Sequence, residues 1–411
     1  MRNSRILSAF VLFALFNGET VKAETLTIER AAALAVEHHP FIQSRVAEKS
    51  AADSDLTSAN NQFLPSVSVS ALRGNSGASQ RSATISQPLW TGGRLSGQQA
   101  RAKANVTAAD VGVEEAQQSI LSETVGRYLE LYRAQQSNDI AISNISEHQR
   151  LLDIIDRRVA ANTSPQVDAM LAMARLQYAE SEALQFENLA ASASSALAQL
   201  IGQEFEHIAP LNFEVAIVDT LPAMRQAALD YSPSLSKLSA ESEALDAEAR
   251  IAKANMYPTL SLAYEKRFGD ILLGQEQEQI YLALDYQPGA GFSSRANYSA
   301  AKSRQRALTE SRLASERDLK VQVETTWSQF LAAQRQLAPS QTLVDATSEV
   351  VESYLRQYVV GRKSWLDVLN AQRESTQARY TLVNNQVQFL QSYYQLKILT
   401  GELRANSVEL L

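Results

Sequence analysis

The chain has 411 residues, a formal net charge of -7 and 45% hydrophobic residues. The acidic balance argues against a nucleic-acid partner, because binding to phosphates requires clustered positive charge. The sequence contains no cysteine, which excludes disulfides, thiolate metal ligands and cysteine nucleophiles.

Residues 1–23 have the pattern of a secretory signal peptide. Arg2 and Arg5 precede the apolar run ILSAFVLFALF, and Val21 and Ala23 occupy the small-residue positions of a cleavage site. A retained membrane anchor is the alternative, but the run is shorter than the roughly 20 residues of a transmembrane helix. We predict cleavage after Ala23 and export of the chain, either soluble in the periplasm or inserted in a membrane as β-structure.

The two halves of the chain repeat one pattern. Pro40 aligns with Pro233 and Pro65 with Pro258, both at an offset of 193. Four later pairs share an offset of 199: Tyr128 with Trp327, Gln135 with Gln334, Asp168 with Asp367 and Gly202 with Gly401. Self-similarity of this kind indicates a duplicated structural unit. We predict a first unit at 24–202, a linker or equatorial segment at 203–222, a second unit at 223–402 and a tail at 403–411.

Each unit combines long helices with one pair of strands. Nothing interrupts the helical pattern from Gly93 to about Ala160, and a helix of that length measures about 100 Å. In the last helical segment, apolar residues recur at three- and four-residue steps, which is typical of a coiled-coil seam. Alternation of apolar and polar residues predicts strands at about 63–73, 81–91, 257–267 and 278–288.

The strands have the length and alternation of tilted membrane strands, which are about 9–11 residues long. The residues predicted to face lipid are Val67, Val69, Ile85, Leu89, Leu260, Leu262, Leu282 and Leu284. Two soluble hairpins packed on helices are the alternative. Four strands cannot close a membrane barrel, and an open edge in lipid leaves backbone groups unpaired. Membrane insertion therefore requires several chains to pool their strands, which would also let the long helices form a hollow tube.

The sequence resembles the TolC-family outer-membrane factors over nearly all of its length after residue 23. The resemblance rests on QPLWTGGR at 87–94, on FLP and MYP before strands, and on GRKSWLDVLNAQRE at 361–374, in this order within a tandem repeat. It implies a mainly α fold with a small β part, in the outer membrane of a Gram-negative bacterium. In the implied homotrimer, twelve pooled strands form one β-barrel in the outer-membrane lipid, and coiled-coil-like helices form a periplasmic α-barrel.

The resemblance also assigns roles to two helix–helix turns at the lower tip of the α-barrel. It implies an adaptor contact at Ser164, Pro165, Gly361, Arg362 and Ser364. It places Asp367 at the periplasmic constriction, with Asn370 where relatives carry a second acidic residue. It makes Tyr358 and Lys363 tethers of the closed state, with Asp168 as the acceptor for Tyr358. The position of the family residue that binds Lys363 is occupied here by Val167, so this second tether has no polar acceptor in this sequence.

Local helix chemistry offers a second interpretation of these residues. Ser364 and Asp367 form a capping box at the start of a helix, and Gly361 suits the end of the preceding helix. Ser164 followed by Pro165 predicts an N-cap with proline at the first helical position. Capping and pore lining are compatible for Asp367.

No constellation in the sequence suggests catalysis, a cofactor or a metal. The four histidines lack metal-ligand spacing, and neither a phosphate loop nor a nucleophile elbow is present. The absence of such motifs argues against an enzyme, and the family resemblance implies an export channel that works with a periplasmic adaptor and an inner-membrane transporter. A periplasmic coiled-coil spacer without a pore is the alternative from another class.

Within the family, GRKSWLDVLNAQRE, YQPGAG and the absence of cysteine favour type I protein secretion. That assignment implies an ABC transporter as partner and a large adhesin or RTX-type protein as cargo. Multidrug or small-molecule efflux with a proton-driven pump is the alternative.

Overall fold

The computed structural model describes residues 25–73, 79–215, 217, 219–269 and 276–404. The predicted signal peptide, most of the Gly/Ser loop after the first strand and most of the predicted tail lie outside the described residues. Within the described ranges, no helix has the length and apolar character needed to span a membrane.

The tandem repeat is visible in the order and length of the elements. The first unit contains α1 (Ile28–His38), α2 (Pro40–Asn61), β1 (Ser66–Arg73), β2 (Ser79–Trp90), α3 (Arg94–Ala160) and α4 (Gln166–Ile201). The second contains α5 (Leu221–Tyr231), α6 (Pro233–Ala254), β3 (Thr259–Gly269), β4 (Glu278–Asp285), α7 (Ser293–Val359) and α8 (Trp365–Thr400). Equivalent helices have equal lengths of 11, 22, 67 and 36 residues. The predicted duplication is therefore confirmed.

Proline and glycine set several helix boundaries. Pro40 and Pro233 occupy the first positions of α2 and α6, where a missing N–H costs nothing. Gly202 and Gly401 follow α4 and α8 with φ of 75° and 74°, a left-handed conformation that favours glycine. No glycine or proline ends α3 before residue 160, so the long helix expected from the sequence forms.

The four strands form one antiparallel sheet in the order β1-β2-β3-β4. Val67 pairs with Ile85, Ile85 with Tyr264, and Tyr264 with Ile280, so these four residues form one row across the sheet. The strands begin or end up to three residues from the predicted positions. Pro65 and Pro258 precede β1 and β3, because proline cannot donate a ladder hydrogen bond.

One face of the sheet is apolar and uncovered in the single chain. Of the eight residues predicted to face lipid, seven are exposed, and Leu260 at the base of β3 is half-buried. The other face is polar: Ser66, Ser68 and Ser70 alternate with the valines of β1. On β3 of the same sheet, Glu265 and Arg267 form a largely buried ion pair at 2.8 Å. This separation of faces suits a sheet with lipid on one side and water on the other.

Two hydrophobic clusters hold the helices together. The larger one, which we call the equatorial core, joins α1, α5 and the ends of α4 and α8 to the middle of α3 and α7. The smaller one, the tip cluster, lies near the α3–α4 and α7–α8 turns and includes Leu151, Ile155, Leu355 and Leu369. A parallel bridge between Leu26 and Ile208 ties the predicted linker to the start of α1.

Tyr128 anchors this bridge. Its side chain is fully buried, and its hydroxyl lies 2.8 Å from the carbonyl oxygen of Leu26 and 3.2 Å from that of Ala209. Burial raises the pKa of the phenol, so the hydroxyl keeps its proton and donates.

We expect Tyr128→Phe to destabilise the equatorial segments by about 1–3 kcal/mol, because buried carbonyls lose a donor. Hydrogen exchange at the amides of Leu26 and Ala209, which form the bridge, should accelerate. Tyr132→Phe is the matched control, since the hydroxyl of Tyr132 has no partner among the described residues. Equal acceleration in both variants would contradict the anchoring role.

Candidate functional site at the helix–helix turns

The two turns at the tip share one backbone design. After α3, the backbone N–H of Thr163 donates to the carbonyl oxygen of Arg158 at 2.8 Å. After α7, the backbone N–H of Arg362 donates to the carbonyl oxygen of Gln357 at 2.9 Å. In each turn the pivotal residue is left-handed, with φ of 56° at Asn162 and 73° at Gly361. These are Schellman motifs, so Gly361 ends α7 as the local chemistry predicts.

Asp367 closes a complete capping box at the start of α8. Its carboxylate accepts from the backbone N–H of Ser364 at 2.9 Å and from the Ser364 hydroxyl at 2.7 Å. The N–H of Asp367 donates back to Ser364 Oγ at 3.2 Å. The hydrogen bonds from Ser364, followed by the charge of Lys363, hold the pKa of this carboxyl below its usual range. Asp367 is therefore negatively charged at neutral pH.

The first turn lacks this cap. Pro165, equivalent to Ser364 at the offset of 199, is the N-cap itself, and α4 begins at Gln166. The prediction of Ser164 as N-cap with Pro165 inside the helix is wrong by one residue. Proline has neither an N–H nor a hydroxyl, so the Asp168 carboxylate has no reciprocal partner at this cap. The backbone N–H of Asp168 bonds the carbonyl of Pro165 at 3.1 Å.

Three side chains, which we call the tip clasp, join the two turns: Arg158, Ser164 and Tyr358. The hydroxyls of Ser164 and Tyr358 lie 2.9 Å apart, and Arg158 Nε donates to Ser164 Oγ at 3.2 Å. The Arg158 guanidinium also lies 4.9 Å from the centre of the Tyr358 ring and bonds the carbonyl of Val359 at 3.4 Å. The clasp ties the end of α3 to the end of α7.

The clasp corrects one prediction and adds a residue. The hydroxyl of Tyr358 bonds Ser164 rather than Asp168, because the Ser164 hydroxyl is not used as a helix cap. Arg158 was not predicted, although a basic residue in the last turn of a helix favours bonding to terminal carbonyls. Trp365 packs behind the clasp, 5.1 Å from the Tyr358 ring centre, and is itself buried.

Lys363 has a different partner from the one the tether prediction requires. Its ammonium lies 4.1 Å from the ring centre of Tyr354 in the same chain, which is a cation–π contact. Val167, the position that the family pattern gives as its acceptor, is exposed. Within the chain, Lys363 therefore stabilises the end of α7 rather than linking α7 to α4.

The remaining predicted residues lie around the clasp. Pro165, Gly361, Arg362 and Ser364 are exposed, while Ser164, Asp168, Lys363, Asp367 and Asn370 are half-buried. Asn370 is one turn after Asp367 on α8. Among the described residues, no group of three or more histidines and carboxylates could hold a metal ion.

The model of the outer membrane efflux protein family matches residues 31–203 and 224–402, one match for each repeat. The chain belongs to the outer membrane efflux protein family. This establishes an outer-membrane efflux channel of the TolC type and confirms the prediction of a channel rather than an enzyme. No curated protein sequence matches the chain.

Solved structures of outer-membrane proteins share the fold of this family member. VceC of Vibrio cholerae is similar with a TM-score of 0.78 and 15% identity, over 91% of this chain and 96% of VceC. The CmeC channel of Campylobacter jejuni has a TM-score of 0.73 and 16% identity, over 98% and 95% of the chains. The open state of the MtrE channel of Neisseria gonorrhoeae has a TM-score of 0.77 and 17% identity, over 92% and 90%.

If Asp367 lines the constriction of this efflux channel, its charge should control block by multivalent cations. We expect Asp367→Asn to weaken block from the periplasmic side severalfold, because the carboxylate charge is lost while an acceptor for the cap remains. Asn370→Asp should strengthen block, since it adds a second carboxylate one turn away. Single-channel recording with a trivalent cation on the periplasmic side measures the strength of block in both variants. Ser364→Ala removes the cap hydroxyl but keeps the charge, and unchanged block in this control would separate pore lining from capping.

Proposed function

We propose that three copies of the chain form one export channel, which passes substrate from an inner-membrane transporter and a periplasmic adaptor to the exterior. The proposal rests on residues that are buried in one repeat while their equivalents in the other repeat are exposed. A duplicated chain in which one copy of each contact is uncovered requires further chains to cover the second copy.

The first set of uncovered residues is on α4. Leu369 on α8 is 1% exposed because α8 packs against α3 in the same chain, whereas its equivalent Met170 on α4 is 66% exposed. In the same way, Val383 is buried and its equivalent Leu184 is exposed. The face of α4 that corresponds to a packed face of α8 is therefore apolar and open.

The second set is on α7. Leu151 on α3 is fully buried, whereas its equivalent Val350 on α7 is 39% exposed. In the same way, Asn144 on α3 is buried, whereas its repeat equivalent Leu343 on α7 is exposed. The α3–α8 contact within the chain thus has an uncovered counterpart on α7 and α4. Because α7 and α4 lie on opposite sides of this unit, α7 of one copy would pack on α4 of the next.

The sheet supports the same arrangement. Among the described residues, β1 pairs with β2 alone and β4 with β3 alone, so both edges are open. Pairing of β4 with β1 of the next copy removes every edge, as a membrane sheet requires. Three copies then give the twelve strands that the family resemblance implies.

Planar-bilayer recording of the purified protein tests this function. A trimeric preparation should produce discrete conductance steps, as expected for a continuous pore. Extraction from cells as a soluble monomer without conductance would instead support the coiled-coil spacer.

For the cargo, we propose type I protein secretion with an ABC transporter, on the basis of the resemblance of GRKSWLDVLNAQRE and YQPGAG to secretion members of the family. Small-molecule efflux with a proton-driven pump is the second candidate, favoured by the description of the matching family as efflux proteins. Deletion of the gene should abolish release of a large polypeptide into the medium without changing drug sensitivity. Drug hypersensitivity with unchanged secretion would favour the second candidate.

A further inference from the structure

A basic hollow lies where α3, α6 and α7 meet, close to their junctions with the sheet. It has a volume of ≈ 750 Å³, which is within the range of sites for small molecules. Four exposed basic residues line it, and we call them the basic cluster: Lys103, Arg250, Lys253 and Lys302. Glu243 and Asp246 line the same hollow, so four positive charges are set against two negative ones.

The basic cluster has little internal compensation. The side chains of Lys103, Arg250 and Lys253 make no hydrogen bond or ion pair with any described residue, and Lys302 bonds the neutral Gln305 at 2.9 Å. Asp246 is bound to Gln305 as well. By contrast, Arg304 is two residues after Lys302, on the other side of α7, and pairs with Glu248 at 3.0 Å. The cluster therefore presents charges that are available to an external anion.

Helix geometry indicates which side of the wall carries the cluster. Lys103 lies 18 residues before Leu121 on α3, which is five turns or about 27 Å along the same side of the helix. Leu121 is buried in the equatorial core. Arg101 lies five turns before Ser119, which is exposed on the other side. In the proposed channel, α1, α5 and the linker would obstruct the lumen if they lay inside it, so their side of α3 is the outer surface.

The height of the cluster corresponds to a membrane surface. Lys253 is the penultimate residue of α6, and the rings of Tyr257 and Trp90 meet just above it at 6.4 Å. Tryptophan and tyrosine are enriched where a membrane meets water. Lys103 is nine residues into α3, about 14 Å below the start of the helix. Lysine and arginine side chains can extend along a surface to bring their charges toward headgroups.

We infer that the basic cluster binds the phosphate of an anionic phospholipid in the periplasmic leaflet of the outer membrane. The inference rests on the proposed channel, which puts this side of the wall outward and the sheet in the membrane. Lys103 and Lys302 are equivalent at the repeat offset of 199, so each chain contributes two lysines at one height, with Arg250 and Lys253 between them. Three clusters around a trimer would fix the depth of the channel in the membrane.

Native mass spectrometry of the purified full-length protein tests this inference, with phosphatidylglycerol and phosphatidylcholine as probes. The parent should bind phosphatidylglycerol preferentially, and Arg250→Gln/Lys253→Gln should lose about thirtyfold in that preference. The expected factor reflects about fivefold for each basic residue close to an anionic lipid surface. The matched control is Arg101→Gln/Arg304→Gln, which removes two charges from the same wall on its other side and should keep the preference.

Three outcomes would overturn the inference: no lipid preference in the parent, equal loss in both double variants, or displacement of the lipid by millimolar inorganic phosphate. The last would indicate a site for free anions. Conductance is recorded on the same preparations, and the cluster variant should still conduct. A parent that conducts without lipid preference overturns the lipid site alone, whereas a parent that neither conducts nor forms trimers contradicts the proposed channel.

Discussion

Met170→Asp should largely abolish the trimer, while Val167→Asp should leave it intact. Both side chains are similarly exposed in the single chain, at 66% and 64%, and they lie three residues apart in the first turns of α4. They differ in their repeat equivalents: Leu369 is buried, whereas Leu366 is exposed. We therefore expect Met170 to be buried by α7 of the next copy and Val167 to face water in the assembly.

The size of the effect follows from desolvation. Burying an unpaired carboxylate costs several kcal/mol even after relaxation, and a closed trimer would bury three of them. Light scattering of the detergent-solubilised protein should show a shift to monomers for Met170→Asp. Far-UV circular dichroism should be unchanged in both variants, because neither residue packs within its own chain. Trimers of Met170→Asp, or monomers of both variants, would contradict the assigned interface.

Tyr358→Phe should raise the resting conductance of the channel severalfold. The change removes the hydroxyl that bonds Ser164 but keeps the ring that packs on Trp365 and lies beside Arg158. If the tip clasp holds α7 against the α3–α4 turn in the closed state, the closed tip loses about 1 kcal/mol per chain. Planar-bilayer recording at fixed voltage measures the open fraction.

A double-mutant cycle provides the control for this prediction. Ser164→Ala should raise conductance by a similar factor, and Tyr358→Phe/Ser164→Ala should add little, since the two hydroxyls form one bond. Asp168→Ala should have a smaller effect on conductance, because the Tyr358 hydroxyl bonds Ser164 rather than Asp168. Additive effects of Tyr358 and Ser164, or a dominant effect of Asp168, would show that the clasp does not control the closed state.

The architecture could be predicted because it depends on local patterns that occur twice. The prolines at 40 and 233 begin equivalent helices, and no breaker interrupts α3. The two offsets found in the sequence apply without exception to the helix boundaries. The predicted strand ends are less accurate than the predicted helix ends. For β1, the alternation of apolar and polar residues continues through Pro65, whereas backbone pairing with β2 begins after it, at Ser66.

The tip was predicted only where its chemistry is local. Ser364 and Asp367 are three residues apart, and their capping box follows from sequence spacing. Ser164 and Tyr358 are 194 residues apart, so their bond depends on how α3 and α7 pack. The resemblance indicated that Tyr358 is a tether residue, but it could not identify Ser164 as the acceptor or Arg158 as the third member. The half-buried position of Leu260 likewise depends on its surroundings at the base of the sheet.

The seam between α3 and α8 contains a buried polar group of three residues. Asn144 Oδ1 accepts from Thr376 at 2.9 Å and from Gln372 at 3.2 Å, and these bonds form in one helix register alone. In the proposed contact between copies, the equivalent residues are Leu343, Gln177 and Met173, of which the leucine and methionine are apolar. Apolar contact is non-directional, so a small axial slide costs less there than at the hydrogen-bonded seam. We therefore expect α3 and α8 of one chain to keep this register when the tip dilates, with axial slip confined to the contact between α7 of one copy and α4 of the next.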